Sequence, residues 1–170
     1  DYAQTDALLS GADINVGYKF NNHLRSQIKA SILRAYDRGQ NTWLIQMPSD
    51  RYEADLSYVF VDGRKLKQPS VKIAYQYVTE QKRVPPTGNI KVVSQTGQES
   101  MESDYMAPPP AYGLVNFEAA AGMELMRKKV DVVFGVSNVF NVAYRDYMNA
   151  FRYFALDRGR NISLKIKMPF

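Results

Sequence analysis

The last ten residues, Asn161-Ile-Ser-Leu-Lys-Ile-Lys-Met-Pro-Phe170, alternate between apolar and polar side chains without a break. Because successive side chains of a β-strand point to opposite faces, this stretch predicts a strand with one apolar face and one charged face. Ile162 and Leu164 lie on the apolar face, and Lys165 and Lys167 lie on the charged face. In a soluble sheet the charged face would meet water; in an outer-membrane barrel the apolar face would meet lipid and the charged face would line the lumen.

The same two-residue period recurs in six further segments of the chain. These segments are residues 14–20, 24–32, 52–60, 71–77, 115–125 and 130–136. Runs of this length and alternation are typical of half-buried strands. With the terminal strand, the sequence predicts an all-β fold of about seven antiparallel strands.

The links between the predicted strands alternate between short and long. The short links are 21–23, 61–70 and 127–129, and the long links are about 37–50, 80–111 and 141–160. Bacterial outer-membrane barrels combine tight periplasmic turns with long external loops. Loops longer than about 12–15 residues are uncommon in compact soluble domains. We therefore interpret the three long links as external loops of a transmembrane β-barrel segment.

Aromatic and charged residues follow the same division. On the apolar face, the rings assigned to periplasmic strand ends are Tyr18, Phe20, Tyr58, Phe60 and Phe170, and those assigned to external ends are Tyr36, Tyr52, Tyr77 and Tyr112. Aromatic rows of this kind mark the two membrane–water interfaces. The body of the apolar face carries no charged residue, as expected where a lipid-facing Lys or Arg would cost about 2–4 kcal/mol. Arg34, near an external strand end of that face, is a candidate to hold lipopolysaccharide phosphates.

Composition narrows the classes of function. The 170 residues contain no cysteine and one histidine, His23, which lies in an apparent turn, so the sequence offers neither a disulfide framework nor a thiolate metal site. The formal charge is +5, but Lys and Arg are interleaved with Asp and Glu, which does not favour nucleic acid as a partner. We find no phosphate-binding loop, no histidine–carboxylate metal spacing and no serine–histidine pair. The sequence therefore predicts a non-enzyme without a cofactor or a metal site.

Several stretches resemble parts of TonB-dependent outer-membrane receptors. Near the C-terminus these are Phe134-Gly-Val-Ser-Asn-Val-Phe-Asn141, Tyr144-Arg-Asp-Tyr147, Gly159-Arg-Asn161 and the final Phe170. Earlier in the chain they are Thr5-Asp6-Ala7 with Gly11, Met47-Pro-Ser-Asp-Arg51 and Pro108-Pro-Pro-Ala-Tyr112. Plugged transporters of this type close with about 22 strands. The resemblance therefore implies that residues 1–170 form the C-terminal third of such a barrel, without the plug and the earlier strands.

The resemblance also implies a function. Such receptors bind a scarce, bulky ligand (a ferric siderophore, haem or cobalamin) at the external face, and force transmitted through TonB rearranges the plug and releases the ligand inward. We therefore expect a protein of the bacterial outer membrane. Its expected partners are outer-membrane lipid and lipopolysaccharide, its own plug domain and remaining barrel strands, and the inner-membrane TonB complex, with a surface lipoprotein as a further candidate.

Candidate ligand contacts lie in the external loops. They are Trp43 in the first loop, Tyr105 in the second, and Tyr144, Arg145, Tyr147, Arg152 and Tyr153 in the third. Aromatic rings provide contact area at a low entropic cost, and arginine pairs with anionic oxygens. A different interpretation rests on the helical spacing of Tyr144, Tyr147, Phe151 and Phe154. That spacing predicts only the packed underside of a short loop helix.

Two other functions stay open at the level of sequence. The first is a small complete barrel acting as a passive porin or an adhesin, which needs an eighth strand within residues 1–10 or 89–93. The second is a soluble β-sandwich that binds carbohydrate, which would bury the apolar strand faces against a second sheet.

Overall fold

The structure, a computed structural model, describes residues 6–85, 90–93, 99–102, 108–125 and 128–168. Thr5, Tyr105 and Phe170, which are named above, lie outside the described residues. The strands are β1 (Ala7–Lys19), β2 (Leu24–Asp37), β3 (Thr42–Trp43), β4 (Arg51–Val59), β5 (Leu66–Val78), β6 (Ile90–Val93), β7 (Glu99–Glu102), β8 (Tyr112–Leu125), β9 (Lys128–Ser137) and β10 (Asn161–Lys167). A short 3-10 helix spans Ala150–Tyr153.

Seven long strands form one antiparallel sheet in the order β1-β2-β4-β5-β8-β9-β10. Each long strand pairs with the next one along the chain, as the alternating pattern predicts. The short β3 adds to the end of β2, and β6 and β7 pair with each other as a separate hairpin. Among the described residues, β1 and β10 have a neighbour on one side only, so the sheet is open.

The strand register places the apolar residues in continuous rows across the sheet. One row consists of Leu56, Ile73, Phe117, Val136 and Ile162. These side chains do not converge on a common interior: Leu56 is 50% exposed and Ile162 is 65% exposed. A β-sandwich would bury this face, whereas the wall of a membrane barrel turns it outward.

Most of the buried residues lie at the end of the sheet that carries the long loops, which we call the external end. They are Ala35, Asp37, Ser49, Asp50, Val78, Gln81, Leu114, Asn138, Tyr147 and Arg152. The packed part of the molecule therefore lies where loops fold onto strand ends. Within the described residues, no helix has both the length and the apolar character required to cross a bilayer.

Three strand boundaries differ from the predicted ones by five residues or more. β1 begins at Ala7, so the residues before 14 extend a strand already counted. β2 continues to Asp37, and β3 folds back onto it, which shortens the first loop. β5 begins at Leu66 and contains Pro69, with a register shift between Lys67 and Ser70, where Gln68 has a φ of 47°. Proline cannot donate to the ladder, and a bulge is one of the places in a sheet where it is tolerated.

The described parts of residues 1–10 and 89–93 do not add an eighth long strand to the main sheet. Residues 7–10 belong to β1. Ile90–Val93 pairs with Glu99–Glu102 in a hairpin of the second loop.

Candidate functional site

The third external loop begins with a turn that two asparagines define. Asn138 and Asn141 have φ angles of 50° and 54°, in the left-handed region that asparagine enters more readily than most residues. The Asn138 amide accepts from the Val142 N–H at 2.8 Å and donates to the Val142 carbonyl at 2.9 Å. Asn141 Oδ1 accepts from the Arg160 N–H at 2.8 Å. The side chain of Asn141 thus joins the beginning of the loop to its end.

Asp146 fastens this loop to two strands of the sheet. Its Oδ2 accepts from Arg51 Nη2 in β4 and from the Tyr112 hydroxyl in β8, each at 2.6 Å. Its Oδ1 accepts from the Met148 N–H at 2.8 Å. A single carboxylate therefore ties the loop to the charged, inward face of the sheet.

Tyr112 corrects one prediction made from the sequence. It pairs with Val78, which pairs with Arg51, so Tyr112 lies on the charged face and not in the external aromatic row of the apolar face. The prediction was wrong because an even-numbered residue of β8 points away from Val115 and Phe117. The Tyr112 ring lies 4.4 Å from the Tyr144 ring, measured between centroids.

A second carboxylate, that of Asp157, closes the loop on itself. Asp157 Oδ2 accepts from the Asp146 N–H at 2.6 Å, and Oδ1 accepts from Asn149 Nδ2 at 2.8 Å. The Asp157 N–H donates to the Tyr144 carbonyl at 2.9 Å. Burial raises the pKa of the Tyr144 hydroxyl, and the negative charges of Asp157 and Asp146 raise it further. Both acidic residues of the third loop are thus held by contacts within the protein.

Arg152, one of the predicted ligand contacts, is buried within the loop. Its Nη1 donates to the Tyr147 carbonyl at 2.6 Å, and its Nη2 donates to the Tyr153 hydroxyl. The guanidinium carbon lies 4.6 Å from the Tyr147 ring centroid and 4.3 Å from that of Tyr153, distances at which a cation is attracted to an aromatic face. In this arrangement Arg152, Tyr147 and Tyr153 hold one another.

The surface of the third loop is apolar and cationic. Met148, Phe151, Phe154 and Leu156 are exposed, with Phe151 at 70% and Phe154 at 86%. Arg145, Arg158 and Arg160 are also exposed, and none of them has an ion-pair partner among the described residues. We call these seven residues the loop face. Exposed phenylalanines do not form the underside of a helix, so the helix-packing interpretation is wrong for Phe151 and Phe154.

The predicted contacts therefore occupy different places. Arg145 belongs to the loop face, while Tyr144, Tyr147, Arg152 and Tyr153 form the layer beneath it. Trp43 lies in β3 beside Tyr36, with their ring centroids 5.1 Å apart. A role in ligand binding for these residues stays a prediction. The exposure of Phe151 and Phe154 could not be predicted, because their spacing is also that of a buried helical stripe.

Metal ligation is not indicated by the described side chains, which contain no group of three or more His, Cys, Asp or Glu arranged around one point.

Comparisons with known proteins bear on the fold. No protein-family model and no curated protein matches the sequence. Among solved structures, the chain is similar to one described as "Copper transporter OprC", with a TM-score of 0.73 and 17% identity. The chain is a segment of an antiparallel β-barrel. The match covers 95% of this chain and 23% of that one, so the chain spans about a quarter of the length of the transporter. The predicted all-β barrel fold is confirmed, and at this identity the likeness supports the fold alone.

Proposed function

We propose that the chain is part of a TonB-dependent transporter in the bacterial outer membrane, which takes up a scarce, bulky ligand such as a ferric siderophore, haem or cobalamin. The observation that carries the proposal is the position of the loop face. It lies on a loop that Asp146 fastens to the inward face of a sheet whose other face is apolar and exposed. This arrangement supports a lipid-facing wall that carries a binding surface at its external mouth.

The loop face favours a ligand that is both apolar and anionic. Three unpaired arginines attract negative charge, and the exposed phenylalanines offer flat apolar area. A bare metal cation would be repelled by the same arginines, so the copper in the description of the similar structure is not carried over to this chain. The hydrogen bonds within the layer beneath the loop face favour binding, because side chains already held in place lose less entropy when a ligand binds.

The inward face of the sheet supports a plug domain as a partner. It carries ion pairs between neighbouring strands, with Lys29 3.0 Å from Glu53 and Lys72 3.3 Å from Asp55. Charges of both signs offer hydrogen bonds to a folded domain packed against the wall. We propose that the plug and the remaining strands complete the binding site and that the plug connects it to the TonB complex. A surface lipoprotein above the loops remains part of the proposal.

The proposal is tested with the full-length receptor in outer membranes. Replacing both Phe151 and Phe154 with alanine should weaken ligand binding by about tenfold or more, because each buried phenylalanine contributes about 1.5–3 kcal/mol. The matched control is Phe60→Ala, which removes a ring that is 45% exposed at the opposite end of the sheet. The ligand is found by growth of the producing bacterium on candidate compounds as the limiting nutrient.

Energy dependence separates active uptake from a passive pore. Uptake should stop when the TonB complex is inactivated or the proton-motive force is collapsed. Uptake that continues under both treatments would favour the porin alternative and contradict active transport.

A further inference from the structure

Arg34 is the one charged residue of the apolar face among the described positions of β1, β2, β4 and β5. It alternates in phase with Ile28 and Ile32, and Ile28 is 58% exposed on that face. A lipid-facing arginine at the membrane midplane would be strongly unfavourable. The distance of Arg34 from the periplasmic membrane interface therefore determines whether hydrocarbon or lipid headgroups surround its side chain.

The strand geometry places Arg34 at the outer boundary of the hydrocarbon layer. Leu24 pairs with Tyr58 in the periplasmic aromatic row, and Arg34 lies ten residues further along β2. At about 3.4 Å per residue and a tilt of about 45°, ten residues rise roughly 24 Å. The apolar band of such barrels is about 25 Å tall. Arg34 thus reaches the level of the outer-leaflet headgroups.

Two arginines share one carboxylate at this level. Arg34 Nη1 and Nη2 donate to Asp50 Oδ1 and Oδ2 at 2.5 and 2.9 Å, and Arg83 Nη2 donates to Asp50 Oδ2 at 3.1 Å. We call Arg34, Asp50 and Arg83 the outer clasp; it carries two positive charges and one negative charge. The side chains of Arg34 and Arg83 are still 29% and 26% exposed.

The guanidinium groups of the clasp keep donors that are not used inside the protein. Besides its two bonds to Asp50, Arg34 donates to the carbonyl of Leu33 at 2.9 Å. Its Nε and one Nη2 hydrogen, and four of the five N–H hydrogens of the Arg83 side chain, have no acceptor among the described residues. A guanidinium fork matches the oxygens of a phosphate better than any other side chain.

A buried glutamine fixes the position of the clasp. Gln81 is 2% exposed, and its Nε2 donates to the carbonyls of Met47 and Pro48 at 2.8 and 2.9 Å. Its Oε1 accepts from the Arg83 N–H at 3.1 Å. These bonds join the end of the first loop to the beginning of the second loop. The two arginines are therefore held in place before any ligand binds.

We propose that the outer clasp binds the phosphate of a phosphorylated glycolipid, of the lipid A type, in the outer leaflet. The membrane setting rests on the proposed function. The source is a lipid, because the clasp lies where headgroups lie and on the face that meets acyl chains. Asp50 spaces the two arginines and leaves one net positive charge for the phosphate.

The test measures binding of lipid A and of chemically dephosphorylated lipid A to the purified full-length receptor by native mass spectrometry. The wild type should prefer phosphorylated lipid A by about tenfold or more, since hydrogen bonds between charged groups are worth at least that factor. The double variant Arg34→Gln, Arg83→Gln should lose this preference. Arg64→Gln, which removes one positive charge from an exposed position in the link between β4 and β5, should keep it.

Three results would overturn the proposal: equal binding of the two lipids by the wild type, an undiminished preference in the double variant, or full displacement of lipid A by millimolar inorganic phosphate. If the double variant folds poorly, Arg34→Lys replaces it in the test. This variant keeps the positive charge but loses the two-pronged guanidinium, so it should retain only part of the preference for phosphorylated lipid A. Ligand uptake is measured in the same variants. Ligand uptake should be unchanged in the double variant. A wrong transport proposal would show as absent uptake in the wild type, whereas a wrong lipid proposal would show in the lipid-binding measurement.

Discussion

Arg51 and Asp146 are 95 residues apart in the chain and 2.6 Å apart in space, measured from Nη2 to Oδ2. Arg51 is the first residue of β4, and Asp146 lies in the first third of the third loop. The pair is only partly exposed, with side-chain exposures of 41% and 19%. It joins the loop proposed to carry the ligand to the sheet proposed to cross the membrane.

Asp146→Asn should loosen the third loop. The variant keeps the size of the side chain but weakens its bonds to Arg51 and Tyr112, with an expected cost to the local opening free energy of about 1–3 kcal/mol. Hydrogen exchange of the amides of residues 141–160 measures this cost. The control is Lys67→Gln, which breaks a 3.9 Å pair with Asp62 between well-exposed side chains and should cost less than about 0.5 kcal/mol. Equal exchange in the two variants would show that Asp146 does not hold the loop.

Gly159→Ala should disturb the base of the same loop. A Cβ on Gly159 would lie 2.7 Å from Asn141 Oδ1, the atom that accepts from the Arg160 N–H. Either the amide or the loop end must move, at an expected cost of about 1–3 kcal/mol. Gly17→Ala is the matched control, since the nearest atom to its added Cβ is 3.9 Å away. Thermal unfolding in detergent should separate the two variants, and a Gly159→Ala protein as stable as the control would contradict the predicted clash.

Two substitutions of Asn138 should separate backbone strain from lost hydrogen bonds. Asn138 is 2% exposed, has a φ of 50° and makes both an accepting and a donating bond to Val142. Asn138→Gly removes the amide but accepts the backbone angle, so it should cost about 1–3 kcal/mol. Asn138→Ala adds the strain of a left-handed alanine, about 1 kcal/mol more. Thermal unfolding of both variants gives the comparison, and an alanine variant as stable as the glycine variant would show that the angle carries no cost.

The alternation of apolar and polar residues was sufficient to predict the sheet. In segments such as 52–60 and 162–167 each residue's face follows from its parity, and the register confirms the predicted faces. Parity also explains the error for Tyr112, because the residue lies near the external end of β8 but on the face opposite to Val115 and Phe117. The local pattern thus predicts the strands, but the face of a residue at a strand end is predicted less reliably.

The loop contacts could not be predicted, because they join residues far apart in the chain. Nothing local to Asp146 indicates that Arg51 is its partner, and nothing local to Asp50 indicates both Arg34 and Arg83. Likewise, Arg152 looks like a free cation in the sequence and is buried between two tyrosine rings in the fold. The sequence placed most of the candidate contacts in the third loop, and their role in ligand binding stays a prediction. The fold determines which side chains of that loop face outward.

The third loop should open at alkaline pH, and Tyr144 should be one cause. Burial raises the pKa of Tyr144 above its ordinary value of about 10, so the folded loop favours the neutral hydroxyl. The resulting stability is fully present below pH 10 and is lost as the pH rises through the raised pKa, because the unfolded loop releases the proton first. Tyr144→Phe cannot ionise there and should keep the loop closed to a higher pH. Proteolytic cleavage within residues 141–160, followed from pH 8 to pH 12, measures the difference, with Tyr18→Phe, at an exposed position of β1, as the control. Identical cleavage profiles for wild type and Tyr144→Phe would show that ionisation of this hydroxyl does not govern the opening.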